Sequence, residues 1–189
     1  MKDKLMIFDL DGTLFDTKEV NYMAYSQALK EAGCEATMDY RYYCDFCNGN
    51  SYKTFLPEIV PGLDKEKMSE IHEYKKRAYP RYLDYARVNE TLVNLIRTCR
   101  ENYHMCIVTT ASKKNTEDIL KRFELMDMFD FILTQEDVVL TKPNPEGFLL
   151  AMKKANVEKK NTLIFEDSKV GLEAAKQSGA DYVQVYGFN

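Results

Sequence analysis

Little in this chain of 189 residues is basic in excess, and nothing in it is both long and apolar. Lys and Arg number 26 against 30 Asp and Glu, a formal net charge of −4, so the cationic surplus of a dedicated nucleic-acid binder is missing. No apolar run approaches the roughly 18 residues that a membrane span requires. Leu5-Met6-Ile7-Phe8, behind Met1-Lys2-Asp3-Lys4, is too short for the hydrophobic part of a signal peptide. Five cysteines, an odd number in a chain of this length, do not make a disulfide framework. Two histidines, His72 and His104, are too few for a zinc cluster or a catalytic triad. Internal repeats, low-complexity tracts and Gly/Ser linkers are absent as well. The expectation is a soluble protein of the reducing cytoplasm, with neither a membrane nor a nucleic acid as partner. Its 45% of hydrophobic residues suffices for a folded core.

What is present is an α/β rhythm. Short apolar runs read as strands at Lys4–Leu10, His104–Thr109, Phe131–Thr134, Thr162–Phe165 and Tyr182–Tyr186. Between them lie segments of helical period. Glu90–Arg100 carries Leu92, Leu95, Ile96 and Cys99 on one side, and Lys114–Glu124 carries Ile119, Leu120 and Phe123. Pro145–Ala155 and Ser168–Ser178 follow, the latter closed by Gly179. This alternation predicts a Rossmann-like parallel sheet with helices on both faces, and a ligand crevice at the carboxyl ends of the strands.

Residues 17–85 break the rhythm. They show no convincing strand, and they hold 10 of the 13 tyrosines. Asp16 or Thr17 is placed to cap a first helix, with Glu19 answering as a capping box and Gly33 closing it. A second helix is expected over Asp64–Tyr79, stopped by Pro80. We expect a small α-helical cap domain at 17–85, inserted into an α/β core made of 1–16 and 86–189. Its hinges fall near Phe15–Thr17 and Asp84–Val88, and it stands over the crevice.

Chemistry concentrates at the strand ends. Asp9 and Asp11 flank Leu10, so on an extended chain both carboxylates face one way, and Gly12 lets the backbone turn. Two close carboxylates repel unless a cation separates them or one holds a proton. That environment suits either a divalent metal or a division between nucleophile and acid. Thr109 and Thr110 end the second strand, offering a hydroxyl and a backbone N–H. Lys142 stands in Thr141-Lys142-Pro143-Asn144-Pro145, stiffened by two prolines. Glu166-Asp167-Ser168 end the fourth strand. Together these supply carboxylate oxygens for a hard cation and donors for a phosphate-sized anion.

The ordered set Asp9-x-Asp11-Gly12-Thr13, Thr109, Lys142-Pro143, Glu166-Asp167 resembles the haloacid dehalogenase superfamily. The helical insertion after the first motif looks like the subfamily of β-phosphoglucomutase and phosphoglycolate phosphatase. The resemblance implies a nucleophile in Asp9, which forms an aspartyl-phosphate, and a general acid, then base, in Asp11. It implies phosphate binding by Thr109 with the N–H of Thr110, the Thr-Thr register being readable either way, with Gly12 also in contact with substrate. Lys142 would neutralise the phosphate. Mg²⁺ would be held by the Asp9 carboxylate, the Asp11 carbonyl and Asp167, with Glu166 close by. The activity implied is Mg²⁺-dependent hydrolysis of a small phosphorylated metabolite by a monomer or weak homo-oligomer. Asp11 and Asp167 speak against dehalogenase chemistry, and nothing in the sequence marks Lys53 of the cap as desolvated for a phosphonatase Schiff base. A phosphomutase is the alternative, although Asn21 stands where such mutases carry a histidine. A catalytically silent phospho-ligand binding protein is the third reading.

Other features read more plainly. Cys44-Asp45-Phe46-Cys47 lacks the second pair that zinc needs, so a buried or half-buried thiol pair is expected, with Cys34, Cys99 and Cys106 in the core. His104 opens a strand and reads as structural. The loop Asn48-Gly49-Asn50-Ser51 is either an ordinary turn or, by the resemblance, a substrate-selecting loop with Asn48 and Gly49 as contacts. Arg41 and Lys53 read as solvated charges, and the tyrosines as packing within the cap.

Overall fold

The computed structural model describes residues 2–34, 36, 38–186 and 188, so the expected outer limits at 1 and 189 fall outside the described residues. Strand β1 (Lys4–Phe8) is buried from Leu5 to Phe8, as a run without polar alternation must be in the middle of a parallel sheet. It stops short of Leu10. The Leu10 carbonyl accepts from the N–H groups of Leu14 and Phe15, both at 3.0 Å, and this turn carries the chain out of the sheet into β2 (Phe15–Asp16).

Helices then follow: α1 (Lys18–Glu31), α2 (Tyr40–Tyr42) with a π-helical turn at Tyr43–Cys47, α3 (Tyr52–Ile59) and α4 (Lys65–Ala78) with a 3₁₀ stretch at Tyr79–Tyr85. The α/β alternation resumes with β3 (Arg87–Val88), α5 (Glu90–Cys99), β4 (Tyr103–Val108), α6 (Lys113–Arg122), β5 (Phe131–Leu133), α7 (Glu146–Ala155), β6 (Thr162–Glu166), α8 (Lys169–Ser178) and β7 (Asp181–Gln184). The chain divides into two compact units, Met1–Asp16 with Arg87–Asn189, and Thr17–Ala86.

The first unit is built on a parallel sheet of order β5-β4-β1-β6-β7. From β1 the chain builds outward through β4 and β5 on one side, then crosses back to build β6 and β7 on the other. The carboxyl end of β1 is therefore the switch point at which such sheets open a crevice. Leu5, Ile7, Cys106, Val108 and Ile164 pack with Phe148, Ala151 and Met152 of α7 and with Ala174 and Ala175 of α8. Helix α7 comes close because Gly147 has no side chain; a Cβ there would stand 2.8 Å from Val108 Cγ1.

Two details of this unit differ from the sequence reading. β2 and β3 pair antiparallel, Phe15 with Val88 and Asp16 with Arg87, and an Arg87–Asp16 ion pair ties them. Two-residue strands are too short to carry a period-2 pattern, which is why the ribbon is invisible in the sequence. In α5 the buried stripe is Leu92, Val93 and Ile96, so Cys99 in the last turn is only half-buried.

The second unit has its own core, in which Tyr25, Ala28 and Leu29 of α1 meet Tyr43, Cys47, Phe55, Leu56 and Ile71. Among its described residues there is no strand. Its tyrosines pack internally: Tyr25 meets Phe55 edge-on at 5.0 Å, and Tyr52 stacks on His72 at 4.1 Å. The expected capping box at Asp16 or Thr17 is not formed. Thr17 is the N-cap without capping through its side chain, and its hydroxyl accepts from Asn21 Nδ2 at 3.1 Å. Asp64 does cap α4, accepting from Lys67 N–H at 2.7 Å. The helix ends at Ala78, and Pro80 lies at the start of the 3₁₀ stretch, where its missing N–H costs nothing. Cys47 and Cys106 are buried, whereas Cys44, Cys34 and Cys99 are half-buried, so the last two are not core residues as expected. Cys34 lies in the turn beyond α1, where one side of the chain meets solvent. Among the described residues no helix is long and apolar enough to cross a membrane.

Candidate active site

Asp9 is the first residue past β1, and its N–H still donates to the Phe165 carbonyl at 3.0 Å, so the strand's rigidity extends to it. Asp9 is buried, 6% exposed. Lys142, brought from the β5–α7 connection, donates to Asp9 Oδ1 at 2.5 Å and to Glu166 Oε2 at 2.7 Å. Its ammonium also lies 5.2 Å from the centre of the buried Phe148 ring. Glu166, the last residue of β6, is 1% exposed, and its other oxygen accepts from the N–H and hydroxyl of Ser168 at 3.1 and 2.6 Å. Asp167 turns the other way and accepts from the Thr13 hydroxyl at 2.8 Å.

Gly12 makes that last contact reachable. Its φ of +92° is one that side chains avoid, and a Cβ would stand 2.1 Å from Asp167 Oδ2. Thr13 is buried in turn, and its carbonyl accepts from Asn89 Nδ2 at 3.1 Å. One oxygen each from Asp9, Glu166 and Asp167 lie within 4.8 Å of one another.

Two buried carboxylates, the half-buried one of Asp167 and one ammonium leave a surplus of negative charge. Burial first, and the Glu166 carboxylate second, push Asp9 well above the usual carboxylate range; Lys142 opposes them and Asp167 adds to the push. Burial also raises Asp167, to about 6, against the hydrogen bond from Thr13. Burial pulls the Lys142 ammonium down, but Asp9 and Glu166 outweigh it and hold the group above the ordinary lysine value. A cluster of hard oxygen donors carrying excess negative charge fits a hard divalent cation such as Mg²⁺. Such an ion would hold these acids ionised.

The remaining expected residues are placed as follows. Asp11 is half-buried and forms an isolated bridge with Phe15. Thr109 is buried, and its hydroxyl oxygen accepts from Ala111 N–H at 3.0 Å. Thr110 is exposed, and both threonines line a small pocket with Val108, Thr141 and Lys142. Asn48 and Gly49 belong to the second unit, exposed, with Gly49 at φ +80°. Arg41 is solvated beside Asp45, at 3.7 Å, and Lys53 is exposed over the Tyr52 ring. His104 pairs with Asp130 at 3.2 Å and is structural.

Thr13, Ser168, Gly171 and Asn89 are the site residues that sequence reasoning missed. Thr13 and Ser168 sit inside the quoted motifs, and adjacency to an acid was the only available signal. Gly171 and Asn89 had none, because their partners are reached only through the fold.

The sequence profile of the haloacid dehalogenase-like hydrolases matches residues 6–185. A phosphorylated carbohydrates phosphatase of Thermotoga maritima is 30% identical, over 96% of this chain and 83% of that protein. Pyrophosphatase PpaX of Bacillus mycoides is 28% identical, over 98% and 84%. Among solved structures, CbbY from Rhodobacter sphaeroides in complex with phosphate superposes with a TM-score of 0.87 at 24% identity, over all of this chain and 88% of that one.

Proposed function

The chain belongs to the haloacid dehalogenase-like hydrolases and is a phosphoric monoester hydrolase, and from that premise we propose that it hydrolyses a small phosphorylated metabolite through an aspartyl-phosphate on Asp9. The observation that carries this reading is the bridge of Lys142 between Asp9 and Glu166, at 2.5 and 2.7 Å, with Asp167 beside it. In the first step an Asp9 oxygen bonds to phosphorus, the ester P–O bond breaks, and the departing oxygen takes a proton from Asp11. In the second, water attacks phosphorus and gives a proton to Asp11, and the P–O bond to Asp9 breaks to release phosphate. Thr109 and the N–H of Thr110 orient the phosphoryl oxygens, and Lys142 offsets their charge.

Mg²⁺ would sit on Asp9, the Asp11 carbonyl and Asp167, with Glu166 near, and its chemistry is neutralisation of the phosphate charge. Asn48 and Gly49, on the helical unit, are proposed contacts for the leaving group, the unit acting as a cap. The five free cysteines support a reducing compartment, the cytoplasm. Asn21 donates to Thr17, and so supports hydrolysis rather than the proton relay that a mutase of this subfamily would need.

The test is a panel of several dozen phosphorylated metabolites and one aryl phosphate, assayed with Mg²⁺, with EDTA, and with Asp9→Asn. Release of inorganic phosphate that EDTA and Asp9→Asn both abolish is expected. No release from any ester, or release unaffected by Asp9→Asn, would overturn the reading.

A further inference from the structure

We propose that Gly171 is a positioning residue of this site: it leaves the slot that Glu166 fills in order to hold Lys142 against Asp9. The proposal rests on the phosphatase reading above and concerns a residue outside the motifs. Gly171 lies in the first turn of α8, where glycine is a poor helix former and alanine would be better on backbone grounds. Its φ is not positive, so no backbone requirement keeps a side chain out. The space does. A Cβ at Gly171 would stand 2.0 Å from Glu166 Cδ, 2.1 Å from Oε1 and 2.5 Å from Oε2.

Nor can Glu166 simply step aside. Oε1 is fixed by the N–H and hydroxyl of Ser168, and Oε2 by Lys142. The Ser168 hydroxyl in turn accepts from the Gly171 N–H at 3.1 Å, which ties it to the backbone of α8. Room for a methyl group requires the carboxylate to retreat by more than an ångström, and the Lys142 contact is the one set from another element. The lysine then loses one of the two acids that aim it. Gly12 makes the matching slot for Asp167, but its positive φ confounds any substitution there. The two glycines divide the neighbouring acids, Glu166 toward Lys142 and Asp167 toward Thr13.

The experiment compares wild type, G171A, E166D and the double variant, using an aryl phosphate with Mg²⁺, together with crystal structures of the metal-free proteins. G171A is expected to lower kcat about 100-fold, the usual cost of misplacing a catalytic group by an ångström, with a smaller change in KM. E166D withdraws the carboxylate by one methylene, so in that background G171A is expected to cost no more than about threefold. The G171A crystal structure is expected to show the Lys142–Glu166 contact broken. If G171A alone fails to fold, folding of the double variant supports the slot, and failure of both overturns it. Unchanged kinetics in G171A, equal losses in both backgrounds, or an intact Lys142–Glu166 contact would each overturn the proposal. Should wild type hydrolyse no ester at all, the phosphatase reading falls, while the crystallographic contact still decides the role of Gly171.

Discussion

The two units solve the burial problem with different materials. The sheet unit packs aliphatic and small residues, Leu5, Ile7, Val108, Ile164, Ala174 and Ala175, and gathers its acids at the strand ends. The helical unit packs tyrosines, Tyr25 and Tyr43, against Phe55, Leu56 and Ile71. The sheet fixes Glu166 at the end of β6 and Asp9 just past β1, so Lys142 of the β5–α7 connection meets both, at 2.7 and 2.5 Å. Aromatic packing between short helices fills volume and keeps hydroxyls near partners, as Tyr25 does with His72 at 3.2 Å. On the proposed function, the phosphoryl chemistry belongs to the sheet unit and the helical unit contributes the leaving-group contacts at Asn48 and Gly49.

The sharpest way to break that assignment is at Lys142. Lys142→Ala leaves Asp9 and Glu166 buried without a counter-charge, and breaking such a pair typically costs about 3–5 kcal/mol. Hydrolysis is expected to fall to background and the melting temperature to drop steeply. A mild effect on either would mean that the chemistry lies elsewhere.

Asn48→Ala probes the other unit. Loss of a polar contact to the leaving group should lower kcat/KM about tenfold for the preferred metabolite. A featureless aryl phosphate should be spared, and equal losses for both substrates would remove Asn48 from selection. Tyr25→Phe is expected to cost about 1 kcal/mol of stability with kcat unchanged, because it deletes the bond to His72. A large loss of kcat there would collapse the contrast between the units.

A smaller effect tests the electrostatics directly. In metal-free protein Asp167 keeps its proton up to about pH 6, against the ordinary 3.8. Between those values the folded state binds more protons than the unfolded one, so this contribution to stability is present below the window and is lost as pH rises through it. Melting curves in EDTA from pH 4 to 7 should show that fall reduced in Asp167→Asn. Identical slopes would mean that Asp167 is not held protonated.

The sheet and most of its strands are legible in the sequence because burial on both faces leaves continuous apolar runs, as in Leu5–Phe8. The acids and Lys142 are legible because turns and prolines punctuate those runs. What escapes is whatever depends on a partner remote in sequence: Thr13 reaches Asp167 across 154 positions, and the β2–β3 ribbon joins residues 71 positions apart. The failed cap at Thr17 is a local error, since its hydroxyl had a competing partner four residues on in Asn21.

By itself the sequence determined the period of its elements, the acids at the strand ends and the separate composition of residues 17–85, because these follow from local sterics and from which side chains leave water. Only the tertiary structure decided which carboxylate faces the ammonium and which faces Thr13. Adjacent residues on one chain point apart, and the space each one enters is defined by a glycine elsewhere in the sequence.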